Sequence, residues 1–382
     1  MARRPTDSTG PDQLRRQATS EGRPRPDERT DAPHEQNRRG PTRRSLLQTA
    51  AVGVAAGAVS FGTGRFTAPG AELPDWTTAD MPSQTGRRAV VTGANGYPRE
   101  GRSGLGYHEA LALAVAGADV TIASRNRERG EEAVRRIRTA APGATVRFET
   151  LDLTDLASIS AFVTRVTDRG DRLDLLINNA GVQGRIGREE TADGFERVFA
   201  TNARGPFALS AQLRPLLQNG RDPRIVWTSS SRVGSINFDD LQKERLYEYG
   251  PAYDDTKLGA LLMAFECERR SKAAGWGITS IAVHPGVCRT SIVVDGPGLD
   301  TPEGWRFQYL PPLWQDPSTG ALPALYAATS PQAAGGGYYG PKQLRGLSGL
   351  PGFAVVPEGA RSPDLAARYW NTLEGLTEVS FS

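Results

Sequence analysis

The chain has 382 residues, 38% of them hydrophobic, which is enough to bury a substantial core in one large domain or two ordinary ones. Residues 1–45 carry eleven arginines against seven acidic residues, whereas the rest of the chain carries 35 basic against 36 acidic residues. A near-neutral body lacks the concentrated basic face that nucleic acid requires, so a nucleic-acid partner is excluded. Cys267 and Cys288 are too few for a disulfide scaffold or a zinc site; they are predicted to be core thiols, and no metal site is predicted.

Residues 1–44 are rich in Arg and Pro and nearly free of apolar side chains, which predicts a disordered basic leader. Arg43 and Arg44 stand shortly before a weakly apolar run of fourteen residues, 49–62, and small residues follow near residue 70. This order resembles a twin-arginine export signal over residues 45–71, and the run is shorter than the roughly 20 residues that span a bilayer.

The protein is therefore expected to be exported or membrane-associated through this signal, with no integral membrane span in the mature body. The alternative is a cytoplasmic protein with an arginine-rich tail, followed by a short Ala/Gly helix packed on the body. Residues 72–86 contain Pro74, Pro82 and several polar residues, so they are predicted to be a linker.

From residue 87 onward, short apolar runs alternate with amphipathic segments, which is typical of a parallel sheet covered by helices on both faces. Predicted strands span residues 89–92, 119–123, 146–150, 173–178, 224–228 and 279–284. Predicted helices span residues 107–116, 127–139, 156–168, 194–217 and 253–273. Because no repeat or change in composition marks a second domain, residues 87–382 are predicted to form a single doubly wound α/β domain.

The loop between the first predicted strand and the first predicted helix is rich in glycine. Glycines there let a pyrophosphate approach the helix N-terminus, where free N–H groups and the helix dipole favour anions. The residues expected to contact a dinucleotide in this loop are Gly93, Asn95, Ser103, Gly104, Leu105 and Gly106.

Ser124 and Arg125 follow the second predicted strand, at the position where an acidic residue would accept a hydrogen bond from the ribose of NAD. A hydroxyl and a guanidinium suit the additional 2′-phosphate of NADP(H) instead, so NADP(H) is the predicted cofactor. The alternative is that Arg125 only begins a solvated helix, like the arginines that follow it.

These motifs resemble the short-chain dehydrogenase/reductase family, in particular its retinol-dehydrogenase-like branch, over about residues 87–375. The family's Thr-Gly-x-x-x-Gly-x-Gly motif matches at Thr92 only if residues 96–102 are an insertion. Arg99 and Arg102 of this insertion are expected either beside the cofactor phosphates or in solvent. The resemblance implies a Rossmann fold and further cofactor contacts from Asp152, Leu153, Asn179, Ala180, Gly181, Tyr253, Lys257, Pro285, Gly286 and Thr290.

Tyr253 and Lys257 are four residues apart at the start of a predicted helix, so both project from one face. The ammonium group is expected to lower the pKa of the phenol, although a half-buried ring beside a solvated amine also fits the pattern. The resemblance implies that Tyr253 is the general acid/base and that Ser230 orients the substrate carbonyl. It also implies that Lys257 and Asn202 relay a proton, whereas a satisfied amide inside a helix is the alternative for Asn202.

The expected function is an NADP(H)-dependent oxidoreductase that interconverts a carbonyl and an alcohol on a lipophilic small molecule. The alternative is an NADP(H)-binding redox sensor or scaffold of the same fold with little turnover. The resemblance also allows a homo-oligomer formed through the helices predicted over 194–217 and 253–273. An aromatic stretch is predicted to be the substrate cap, with core or oligomer packing as the alternative: Trp305, Phe307, Tyr309, Leu310 and Trp314.

Overall fold

The computed structural model describes residues 72–381, so the predicted leader and export signal, residues 1–71, lie outside the described residues. Eight strands form one sheet in these residues. They are β1 (Arg88–Thr92), β2 (Asp119–Ser124), β3 (Val146–Thr150), β4 (Leu175–Asn178), β5 (Arg224–Thr228), β6 (Thr279–Val283), β7 (Tyr338–Gln343) and β8 (Ser348–Phe353). Their order across the sheet is β3-β2-β1-β4-β5-β6-β7-β8.

Helices connect most of the strands. In chain order they are α1 (Leu105–Val115), α2 (Arg127–Ala140), α3 (Leu156–Thr167), α4 (Arg197–Phe199), α5 (Gly205–Gln218), α6 (Tyr249–Ala274), α7 (Ile292–Asp295), α8 (Pro302–Tyr309), α9 (Pro317–Gly320), α10 (Leu322–Thr329) and α11 (Pro363–Thr377). Between residues 72 and 381, no helix combines the length and the apolar character needed to cross a bilayer.

The chain changes direction across the sheet at β1. It runs outward from β1 to β2 and β3, then returns so that β4 pairs with β1 from the other side, all in parallel. Open α/β sheets bind ligands at the carboxyl ends of the strands beside such a reversal. The glycine-rich loop after β1 therefore begins at the edge of the sheet where a nucleotide is expected.

Two buried apolar clusters cover the two faces of the sheet. One includes Phe162 of α3 and Phe207 of α5, and the other includes Leu113 of α1 and Ile137 of α2. This arrangement confirms the predicted doubly wound α/β fold. The sheet is parallel except for β8, which pairs antiparallel with β7 because a turn of three residues with positive φ joins them, Leu344–Gly346.

Two predicted helices differ from those in the structure. The helix predicted over 194–217 is divided into α4, a π turn at Ala200–Arg204, and α5. The helix predicted from residue 253 begins at Tyr249, because Pro251 lies in its first turn, where no backbone N–H needs an intrahelical partner. Cys267 and Cys288 are free and buried, which confirms the prediction of core thiols.

Residues 72–86, the predicted linker, pack against the rest of the fold. Trp76 is 4% exposed and meets the ring of Tyr326 edge-on at a centroid distance of 5.5 Å. The backbone N–H of Gln84 donates to the carbonyl of Ala116 at 2.8 Å, so the segment is bonded to the end of α1. The segment is therefore packed on the fold up to the start of β1.

Candidate active site

Ser230 and Tyr253 meet at the carboxyl end of β5. Ser230 follows this strand, and its hydroxyl lies near the phenol of Tyr253 on α6, where it favours the charged form of that phenol. The Ser230 Oγ also accepts from the backbone N–H of Arg232 at 3.2 Å, which leaves the hydroxyl proton for another acceptor. The neighbouring Ser229 is buried, and its hydroxyl donates to the carbonyl of Lys257 at 2.7 Å. Ser229 therefore has a structural bond, and Ser230 is the serine that faces the phenol.

Lys257 lies one turn beyond Tyr253 on the same helix. Its Nζ is 5.3 Å from the centre of the Tyr253 ring and donates to the carbonyl of Thr228 at 3.0 Å. Burial lowers the pKa of Lys257 to about 8 and raises the pKa of Tyr253 to about 12. The expected lowering of the phenol pKa is therefore not found, because the cost of burying a phenolate exceeds the effect of nearby charge. The phenol keeps its proton at neutral pH.

Asn202 lies in the π turn before α5. Its Oδ1 accepts from the N–H of Val182 at 2.9 Å, and its Nδ2 donates to the carbonyl of Val182 at 2.9 Å and to Thr256 Oγ1 at 3.1 Å. A Cβ on Gly181 would lie 3.2 Å from Lys257 Nζ and 3.4 Å from Asn202 Oδ1. The amide is thus fully bonded, and its oxygen and the Lys257 amine both lie next to Gly181.

The loop after β1 and the end of β4 approach each other closely. A Cβ on Gly93 would lie 2.9 Å from Ala180 Cα, and one on Gly106 would lie 2.4 Å from Asn179 Nδ2. The Asn179 amide donates to the carbonyl of Thr92 at 2.7 Å, and the N–H of Ala180 donates to the Thr92 hydroxyl at 2.9 Å. These contacts need glycine at both positions, and they place the N-terminus of α1 at the carboxyl edge of the sheet.

The insertion in this loop forms a closed hairpin. The N–H of Gly104 donates to the carbonyl of Gly96 at 2.6 Å, which joins the two ends of the insertion. Arg99 and Arg102 exchange both backbone hydrogen bonds at 2.9 and 3.1 Å, and residues 100 and 101 between them both have positive φ. Positive φ at both central residues defines a tight type I′ hairpin turn. The insertion is therefore a structured projection of the loop.

Side chains at the base and tip of this hairpin have partners. The guanidinium of Arg136 on α2 lies 4.5 Å from the centre of the Tyr97 ring. Arg102 hydrogen-bonds to the carboxylate of Glu100 at 2.5 Å, while the Arg99 side chain remains 47% exposed. Ser103, next in the chain, lies with its hydroxyl 2.8 Å from His108 Nε2.

Ser124 is the last residue of β2, and Arg125 follows it at the same edge of the sheet. The Ser124 hydroxyl is buried and has no hydrogen-bond partner among the described residues. Arg125 is exposed and forms no ion pair within residues 72–381, whereas Arg127 pairs with Glu131 at 3.1 Å. A buried hydroxyl without a partner beside an unpaired guanidinium fits a ribose that carries a phosphate.

The remaining predicted cofactor residues lie on loops that follow other strands. After β3, the Asp152 carboxylate accepts from the N–H of Thr154 at 2.9 Å, and Leu153 is buried. After β6, Gly286 has φ +71°, as the tight turn there requires. Other positions are as follows: Asn95 and Leu105 are half-buried, the Pro285 carbonyl accepts from Gln315 Nε2, and Thr290 Oγ1 accepts from the N–H of Ile292.

Two residues near the reacting groups were not predicted from the sequence. The hydroxyl of Tyr338 donates to the carbonyl of Ser230 at 3.0 Å, which fixes the loop after β5. Arg232 bonds Ser230 through its backbone and Asp254 through its side chain, at 2.9 Å. Arg232 could have been found from the sequence, because it is a charged residue only two positions after Ser230. Tyr338 could not, because it belongs to β7, a strand that the sequence did not predict.

Comparison with known proteins agrees with this geometry. Residues 87–296 match the family model described as short chain dehydrogenase. The chain is 34% identical to human retinol dehydrogenase 13 over 343 residues, covering 86% of this chain and 93% of the relative. It is 35% identical to mouse polyprenol dehydrogenase over 314 residues, covering 79% and 86%. A crystal structure of an uncharacterised Mycobacterium paratuberculosis protein is 34% identical, with a TM-score of 0.65, over 81% of this chain and all of that one.

A doubly wound α/β sheet with a glycine-rich loop after β1 and a serine, tyrosine and lysine at the carboxyl ends of its strands is typical of a class of dehydrogenases. The chain belongs to the short chain dehydrogenase family and is an oxidoreductase with retinol-dehydrogenase-like relatives. The family uses NAD or NADP.

Proposed function

We propose that the protein interconverts a carbonyl and an alcohol with NADP(H), and that Tyr253 is the general acid/base. The observation that carries this proposal is the approach of the Ser230 hydroxyl to the phenol of Tyr253, with the Lys257 amine 5.3 Å from the phenol ring. These groups lie at the carboxyl edge of the sheet, beside the loop after β1 that would hold a dinucleotide.

Each side chain has one task in the reduction. The bound nicotinamide would supply the hydride. Ser230 holds the carbonyl oxygen by donating its free hydroxyl proton, and Tyr253 transfers the phenolic proton to that oxygen. Lys257 and Asn202, which both lie next to Gly181, relay a replacement proton from solvent to the phenol. The oxidation uses the same groups in reverse order.

The proposed acid/base role predicts a large effect of Tyr253→Phe. This change removes the transferable proton and hardly alters the shape of the side chain, so turnover should fall by about 10²–10⁴-fold. NADPH affinity, measured by fluorescence titration, should stay near the wild-type value. Turnover is measured by NADPH absorbance with a panel of lipophilic ketones, aldehydes and alcohols. If wild type and variant both bind NADPH but neither turns over any compound, the redox-sensor alternative is favoured.

The proposed preference for NADP(H) is supported by Ser124 and Arg125. The unpaired guanidinium and the buried, unpartnered hydroxyl suit a 2′-phosphate. Arg125→Asp should reduce or reverse the preference, because a carboxylate repels the phosphate and accepts from a 2′-hydroxyl. Titration of NADPH and NADH against both proteins tests this, and equal wild-type affinities would contradict it.

The proposed substrate class is a lipophilic alcohol or its carbonyl form. Two relatives are named for the alcohols retinol and polyprenol. In this chain, Phe307 on α8 is buried, and its ring meets that of Trp314 edge-on with 5.3 Å between the ring centres. The guanidinium of Arg289 lies 4.6 Å from the centre of the same Phe307 ring. These contacts support an apolar cap over the segment that follows Thr290.

The proposed location is outside the cytoplasm, by export of the folded protein. Its support is the sequence around Arg43 and Arg44, within residues 1–71, which the structure does not describe. Replacing both arginines by lysine should leave the full-length protein inside the cell. Cell fractionation tests this, and identical cytoplasmic pools of both proteins would contradict export.

A further inference from the structure

A cluster of charged and phenolic side chains joins three segments next to the reacting groups. Glu303, in the first turn of α8, accepts a hydrogen bond from the Tyr249 hydroxyl at 2.8 Å. Its other carboxylate oxygen lies 3.7 Å from the guanidinium of Arg232. Arg232 in turn donates to the Asp254 carboxylate at 2.9 Å. The cluster thus connects α8, the catalytic helix α6 and the loop after β5.

Three members of the cluster, Tyr249, Asp254 and Arg232, are adjacent to a residue of the proposed catalytic site. Tyr249 lies one helical turn before Tyr253, and Asp254 directly follows it. The backbone N–H of Arg232 donates to Ser230 Oγ at 3.2 Å. A shift of Arg232 would therefore also shift the hydroxyl of Ser230, which is proposed to hold the substrate oxygen.

We infer that Arg232, Tyr249 and Glu303 form a latch that holds helix α8 against the catalytic helix and positions Ser230 for the substrate. The three are positioning residues, because they act through α8 and Ser230. The inference deepens the proposed function, since it assigns control of substrate access to residues outside the serine, tyrosine and lysine.

The two faces of α8 differ in exposure and in their contacts. Trp305 and Tyr309 are 55% and 62% exposed on the outer side, with ring centroids 5.5 Å apart. Glu303 faces the catalytic helix, and Gly304 packs tightly on the backbone of Leu299, where a Cβ would lie 2.4 Å from Leu299 Cα. The latch is thus a polar contact between α8 and α6. The opposite face of α8, which carries Trp305 and Tyr309, is exposed in the described part of the chain.

Amide hydrogen exchange tests the latch without requiring turnover. In the full-length protein, Tyr249→Phe removes the hydrogen bond to Glu303, and Glu303→Gln removes the charge that pairs with Arg232. Each should make exchange in residues 300–310 about tenfold faster, because local opening loses a charged hydrogen bond. The double variant should exchange no faster than about twice the quicker single variant, since both changes break one unit.

Tyr309→Phe is the matched control for exchange. It makes the same chemical change on α8 itself, at an exposed residue outside the latch, and should leave exchange in residues 300–310 as in the wild type. Unchanged exchange in both Tyr249→Phe and Glu303→Gln would overturn the latch, whether or not a substrate has been found.

Steady-state kinetics test the positioning of Ser230. In Tyr249→Phe, the KM of the carbonyl substrate should rise about three- to tenfold, while the Kd of NADPH stays within about twofold, because one charged hydrogen bond is lost away from the cofactor. Faster exchange with an unchanged KM would overturn the positioning role. A failure of the proposed function would instead appear as absent turnover in the wild type.

Discussion

The buried amine of Lys257 affects how the stability of the folded protein depends on pH. Burial lowers its pKa from 10.5 to about 8, so between these values the unfolded chain binds this proton and the folded protein does not. The contribution of Lys257 to the free energy of unfolding therefore rises with pH from about 8 to 10.5 and is least favourable below pH 8. A side chain that the proposed reaction requires thus reduces the stability of the fold.

Lys257→Met should stabilise the protein without cofactor at pH 7. It removes the buried charge but also the hydrogen bond to Thr228, so the expected net gain is about 2 kcal/mol. The rise of stability between pH 8 and 10.5 should be smaller in the variant. Thermal and urea unfolding across this pH range measure both effects. Lys272→Met, on the same helix but exposed, should not stabilise the protein, because it removes the ion pair with the buried Glu268, and a lower melting temperature of Lys257→Met at pH 7 would contradict the argument.

At the residue scale, the sequence predicted which residues form the candidate site better than it predicted the burial and the contacts of their side chains. The resemblance implied a role for Ser230, and the structure places the Ser230 hydroxyl near the phenol while Ser229 bonds the backbone of α6. The raised pKa of Tyr253 was not predicted, because burial depends on packing from elements distant in the chain. Tyr338 was missed for the same reason, since only the sheet brings it to Ser230.

At the scale of elements, β1 to β6 were predicted within two residues at each end. Strands buried on both faces are continuous apolar runs, and such runs are visible in a sequence. β7 and β8 were not predicted, because Gly340, Pro341, Gly349 and Pro351 interrupt their apolar pattern, and glycine and proline are unfavourable inside strands. The π turn was also not predicted, since no local residue pattern marks it.

Helix α11 carried a local signal that the sequence analysis did not use. Ser362 caps the helix by accepting from the N–H of Leu365 at 3.1 Å, and Pro363 occupies the first helical position. A capping serine followed by proline is a typical start of a helix. Helix α11 was therefore predictable from the sequence. Its packing against α5 and α6 was not, because no local residue pattern marks that contact.

At the scale of the whole molecule, α11 covers helices that the resemblance associates with oligomers. Trp370 is fully buried and meets Phe207 of α5 edge-on at 4.9 Å. A Cβ on Gly259 of α6 would lie 2.4 Å from the Tyr369 hydroxyl, so α6 provides a notch for that ring. The face formed by α5 and α6 is thus occupied by the chain's own helix.

The protein is accordingly expected not to dimerise through α5 and α6. Sedimentation equilibrium of the full chain should give a mass near 41.1 kDa across a range of concentrations. Gly259→Val should displace Tyr369, loosen α11 and promote self-association through the exposed apolar face. A wild-type dimer whose cross-links map to α5 and α6 would contradict the expectation.

Trp76 limits where a protease can trim the chain without damaging the enzyme. Its buried indole packs against Tyr326, and Asp75 pairs with Lys342 of β7. Removal of the indole would leave a cavity costing about 3–5 kcal/mol, a large share of the stability of a typical domain. Cleavage near residue 71, as an export signal would require, leaves both contacts intact. Processing beyond residue 76 would instead release a protein that unfolds readily and is open to further degradation.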